Sequence, residues 1–120
     1  MRIIARSTAL AAALSLAAVA PAISAAPTIK ASPNPVQRGK LVRVYGVVTG
    51  CGGYVTLISK AFPHTHDFAG LPAVFATRTS TGSYSVRVRV PARRSPGTYT
   101  ITGRCGGGNL GVTRKLKVTA

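Results

Sequence analysis

The chain has no tryptophan, no glutamate and a single acidic side chain, Asp67, in 120 residues. Each absence removes a class of chemistry. A carboxylate pair for general acid–base catalysis is impossible without a second carboxylate. Two-metal phosphoryl chemistry and a carboxylate cage for Ca²⁺ fail for want of ligands. Cysteine occurs only at positions 51 and 105, with no C-x-x-C and no histidine near either in sequence, which disfavours a redox or metal-binding thiol pair. No G-x-S-x-G is present to expose a nucleophilic serine. The glycine run Gly106–Gly108 opens no helix and is followed by no Lys-Ser/Thr, so it reads as a flexible loop rather than a phosphate cradle. The expectation is a protein that is not an enzyme.

What is abundant is positive charge. Sixteen Lys and Arg residues against one acid give a formal net charge of +15. Two of the sixteen, Arg2 and Arg6, stand before an uncharged Ala/Leu/Val run at Ala9–Ala20, followed by Pro21 and the small residues Ser24, Ala25 and Ala26. This is the order of a secretory signal peptide over residues 1–26, cleaved near residues 24–26. Its apolar core is shorter than the ~20 residues of a typical membrane span. The mature chain, residues 27–120, is thus expected to be secreted, extracellular and without a transmembrane segment. Removing Arg2 and Arg6 leaves 14 bases against Asp67, or +13. An isolated cysteine pair in an oxidising compartment predicts a Cys51–Cys105 disulfide, closing a separation of 54 positions.

The mature sequence alternates with a period of two almost throughout. In Ser83–Val90, Tyr84, Val86, Val88 and Val90 fall on one side and Arg87 and Arg89 on the other. Leu41–Val48 sets Val42, Val44, Gly46 and Val48 against Arg43 and Tyr45. Thr98–Cys105 sets Tyr99, Ile101, Gly103 and Cys105 against three threonines and Arg104. Shorter strands are expected at Thr28–Ser32, Tyr54–Ser59, Ala73–Thr79 and Val112–Thr119, separated by Gly- and Pro-containing turns. About seven strands with no amphipathic helix predict an all-β, Ig-like antiparallel β-sandwich over residues 27–120, with a small OB-type barrel as the alternative.

Several segments carry a resemblance. Ser32-Pro33-Asn34-Pro35-Val36 leads through Arg38-Gly39-Lys40 to a strand ending at Thr49-Gly50-Cys51. Thr81-Gly82-Ser83-Tyr84 leads to Val90-Pro91-Ala92, and Pro96-Gly97-Thr98-Tyr99-Thr100 runs into Arg104-Cys105-Gly106-Gly107. In these the chain resembles the small secreted Ig-like domains common in actinobacteria, over roughly residues 28–119. The resemblance implies fold and secretion; it implies no activity, because such sandwiches host many functions.

Two surfaces are candidates for function. The first is cationic. Arg43, Arg87 and Arg89 project outward from strands that are neighbours in an Ig-like arrangement, Lys115 and Lys117 project from the last strand, and Arg93 and Arg94 lie in a turn. Such charge is expected to associate with anionic polymers: teichoic acid, acidic polysaccharide, an anionic lipid surface or, without sequence reading, extracellular DNA. The second is Pro63-His64-Thr65-His66-Asp67, which gathers both histidines and the only acid. In an extended chain His64 and His66 would share a side, with Asp67 as a further ligand, giving a candidate Cu or Zn site. A third reading is an accessory module that packs on another exported protein through an uncovered sheet.

Overall fold

A computed structural model describes residues 26–120; the expected leader therefore lies, up to position 25, outside the described residues. Nine strands form two sheets: β1 Lys30–Ser32, β2 Val36–Gln37, β3 Leu41–Val47, β4 Tyr54–Ile58, β5 His66–Phe68, β6 Leu71–Thr77, β7 Ser83–Arg89, β8 Gly97–Cys105 and β9 Gly108–Thr119. One sheet has the order β1-β3-β7 and the other β2-β9-β8-β4-β6-β5. They pack face to face as a β-sandwich, as the alternation predicts. All seven expected strands are present.

The core consists of the apolar half of each alternating strand. Val42, Val44 and Val88 of the smaller sheet meet Val55, Leu57, Ile101 and Leu116 of the larger one, all nearly or fully buried. Phe62, on the connection after β4, closes one end of the core and is completely buried. At the opposite end Cys51 is bonded to Cys105, with Cα atoms 5.9 Å apart. The disulfide ties the β3–β4 connection, which leaves the smaller sheet, to the last residue of β8 in the larger one.

Three local devices fix the frame. Tyr99 donates its hydroxyl to the Ser95 carbonyl at the corner entering β8, a contact like the tyrosine corner of Ig-type sandwiches. Tyr84, buried in β7, donates to the Thr28 carbonyl at 2.7 Å, while Thr28 Oγ1 accepts from Val47 N–H at 3.0 Å. Here β3 needs Gly46, because a Cβ at that position would overlap the Thr28 carbonyl. Along β9, the Asn34 side chain mimics a strand residue. Its amide donates to the Lys115 carbonyl at 2.8 Å and its oxygen accepts from Lys117 N–H at 3.0 Å, and β2 then continues the cover in parallel at Val118 and Thr119.

The Ala73–Thr79 strand, as β6, pairs with β4 in the larger sheet and reaches the smaller one at a single bridge, Arg78 to Tyr84. Two details depart from the sequence reading. Gly106 and Gly107 form a tight turn rather than a loose loop, since Gly108 already pairs with Cys105 and β9 begins there. The histidine segment is not a free loop: His66–Phe68 is strand β5, paired to the start of β6.

Candidate polyanion-binding face

The register of the smaller sheet decides which cations meet. Arg43 lies directly opposite Arg87, with Ser32 on the other flank, and Leu41 lies opposite Arg89. Two positions along, Tyr45 sits between Lys30 and Ser85. Side chains two apart on a strand share a face. Lys30, Arg43, Arg87 and Arg89 therefore occupy one exposed surface on the side away from the core.

Like charges directly opposite across a ladder are unfavourable. No acidic side chain offsets this pair, since Asp67 belongs to the other sheet. Arg43 is nevertheless held in place. Its Nε donates to Ser85 Oγ at 2.8 Å and its guanidinium lies 4.1 Å from the centre of the Tyr45 ring. Arg89 is held by donating to the Gly39 carbonyl at 2.8 Å. Both arginines keep further N–H groups for an external acceptor, because a guanidinium has five. Shallow depressions beside Arg43 are lined by Ser32, Leu41 and Arg87 on one side and by Thr28, Lys30 and Tyr45 on the other. The arrangement is a set of fixed forked donors on an open surface, suited to carboxylate, sulfate or phosphate oxygens.

The remaining expected cations do not join this face. Lys115 and Lys117 lie on the outer side of the larger sheet, opposite Thr100 and Thr98 in register, and Lys115 Nζ donates to Thr100 Oγ1 at 2.8 Å. Arg93 is exposed on the β7–β8 connection. Arg94, half-buried in the same turn, donates to the Phe62 carbonyl at 3.0 Å and so braces the end of the core. Lys30 was not among the expected residues. Its signal was available only through the register of a three-residue strand, which short alternation does not specify.

The two histidines diverge. The extended geometry that would align them is broken by a turn at His64–Thr65. His64 Nε2 and Asp67 Oδ1 are 2.8 Å apart, and Asp67 Oδ2 also accepts from Gly70 N–H at 3.1 Å. These two hydrogen bonds, His64 first, hold the Asp67 carboxyl below the usual carboxylate range. His66 instead packs on Phe75, ring centres 4.4 Å apart. Among the described residues no group of three His, Cys, Asp or Glu side chains converges as a metal cage would require.

The same residues show a feature that sequence reading did not isolate. Tyr54, Phe75 and His66 form a row of touching rings across β4, β6 and β5 on the outer side of the larger sheet, with Tyr54 and Phe75 4.9 Å apart. Phe68 lies beside this row with the Arg104 guanidinium 4.9 Å above its ring. The rings come from three strands separated by turns, so only the β4–β6–β5 pairing brings them together. Among the described residues no helix is long and apolar enough to cross a membrane. No protein-family model matches the chain, and comparison with curated proteins finds no match.

Proposed function

We propose that this protein is a secreted, non-enzymatic Ig-like module that binds anionic cell-envelope or extracellular polymers through the cationic face of its smaller sheet. One observation carries the reading: Arg43 directly opposite Arg87 with no acidic side chain to offset them. A ladder gains nothing from that pair by itself. An anion placed between the two guanidinia turns the repulsion into two charge-assisted hydrogen-bonded contacts. Lys30 and Arg89 extend the row, which suits a chain of repeated negative charges better than a single small anion. Binding of this kind releases counterions, so it weakens steeply as salt rises.

The test is retention of the protein by a poly(glycerol phosphate) polymer and by heparin across a salt series. Wild type is expected to elute at a salt concentration that falls clearly in Arg43→Gln/Arg87→Gln. Each cation removed lowers the slope of log affinity against log salt by about one. Retention that is independent of salt, or a double variant that elutes with the wild type, refutes the proposal.

A further inference from the structure

The outer side of the larger sheet carries a second assembly that the cationic face does not use. The pairing of β4 with β8 ends at Ile58 and Thr102. Beyond it the chain turns away through Ser59–Phe62, with Ser59 N–H bonded to the Pro72 carbonyl and Phe62 N–H to the Ser59 carbonyl. β8 continues without a partner on that side. The gap is a groove of about 360 Å³ with Ile58 and Leu71 on its apolar side and Lys60, Thr98, Thr100 and Thr102 around it. That volume lies within the range of small-ligand sites.

Three chemistries alternate here at the spacing of the sheet. The threonines present a row of hydroxyls two residues apart on one strand. Their cross-strand partners supply ammonium groups, Lys117 at Thr98 and Lys115 at Thr100. On the other flank Leu71 pairs with Phe68, and the ridge continues through His66, Phe75 and Tyr54. Phe75 is 43 % exposed and Tyr54 54 %, which is costly for aromatic rings unless something covers them. Asp67 lies between His66 and Phe68 in β5, so strand alternation turns the only acid to the other side.

We propose that this face binds an acidic polysaccharide whose sugar units bear carboxylates. A pyranose has a C–H-rich face that packs on Leu71 and the ring row, hydroxyls that exchange hydrogen bonds with the threonines, and a carboxylate that pairs with Lys115 or Lys117. A polyphosphate has no use for the apolar flank. Stacked nucleobases would need a common flat platform, whereas the Tyr54, Phe75 and His66 rings are tilted by 53° and 31° to one another. The inference rests on the reading of the protein as a polyanion binder but names the polymer and assigns a site independent of Arg43, Arg87 and Arg89.

Calorimetric titration of the purified protein with an oligogalacturonate, its methyl ester and inorganic polyphosphate tests it. Phe75→Ala and, separately, Lys115→Gln are each expected to weaken oligogalacturonate binding about tenfold, and the neutral ester binds about tenfold more weakly than the acid. Both variants keep polyphosphate binding within about twofold, which also reports that they remain folded. Arg43→Gln/Arg87→Gln shows the reverse pattern. The inference is overturned if neither variant alters oligogalacturonate binding, if both lose the two ligands equally, or if the ester binds as well as the acid. Wild type that binds polyphosphate but not oligogalacturonate overturns this inference and leaves the cationic face standing. Wild type that binds oligogalacturonate but not polyphosphate, unaffected by Arg43→Gln/Arg87→Gln, does the opposite.

Discussion

Replacing Arg87 by Gln separates stability from binding in a way few surface substitutions do. The Arg87 side chain makes no hydrogen bond among the described residues, so its replacement costs none, whereas Arg43 would lose Ser85 and Tyr45. Directly opposed side chains on a ladder start about 5 Å apart at Cβ, which places two guanidinia roughly 7 Å from one another. In water-like surroundings that repulsion is about 0.6 kcal/mol, and it is largely screened in 1 M salt, where the Debye length is about 3 Å. Arg87→Gln is therefore expected to raise the unfolding free energy by about 0.5 kcal/mol at low salt, or roughly 2–4 °C in melting temperature for a domain of this size. The gain should vanish in 1 M salt. Heparin retention should fall in the same variant. Urea denaturation at two salt concentrations beside an elution profile measures both. A variant that is less stable than wild type at low salt, or whose gain persists at 1 M salt, shows that the Arg43–Arg87 pair is not held under repulsion.

Three further outcomes follow from the frame. Replacing Cys51 and Cys105 together by Ala frees a loop of 54 positions and is expected to lower stability by up to about 4 kcal/mol, with a steeper dependence on urea from a less compact unfolded chain. Gly46→Ala is expected to destabilise by about 1–3 kcal/mol in the same assay, because the obstacle is the Thr28 backbone and not a movable side chain. Burial pushes the Tyr84 phenol up from 10.0 to about 12. The folded state thus holds this proton more tightly than the unfolded chain, and the associated stability is full below pH 10 and is lost as pH rises toward 12. Tyr84→Phe should cost about 1 kcal/mol at neutral pH through the lost bond to Thr28 and should show a weaker alkaline decline.

How much of this was legible in the sequence depended on the range of the interaction. Period-two alternation is local, and it placed Val42, Val44, Val88 and Ile101 inward and Arg43, Arg87 and Arg89 outward. The disulfide followed from the pairing of two lone cysteines. Partner choice was less accessible. Ala73–Thr79 alternates equally well against either sheet, and only the β4–β6 register shows that Phe75 faces out beside Tyr54 while Val74 and Ala76 face in. The histidine segment misled because the 180° alternation it was read with requires an extended chain. A three-residue bond between His64 and Asp67 is enough to turn it, and no pattern of hydrophobicity reports such a bond. Strands as short as β2 and β5 lie below the length at which alternation carries a signal.

The Asn34 clasp on β9 has a consequence for self-association. Pro33 and Pro35 flank it and have no N–H to offer, so the strap that covers β9 offers few donors to another strand on its far side. β1 and β5 are three residues each. Among the described strands β7 is a bare rim of the smaller sheet, free beyond the single bridge from Arg78 to Tyr84. A second molecule docking there antiparallel about Val88 would set Arg87 of each copy opposite Arg89 of the other. Self-pairing is opposed by electrostatics along one rim and by missing donors along another. Only the first of these barriers yields to salt or to a bound polyanion.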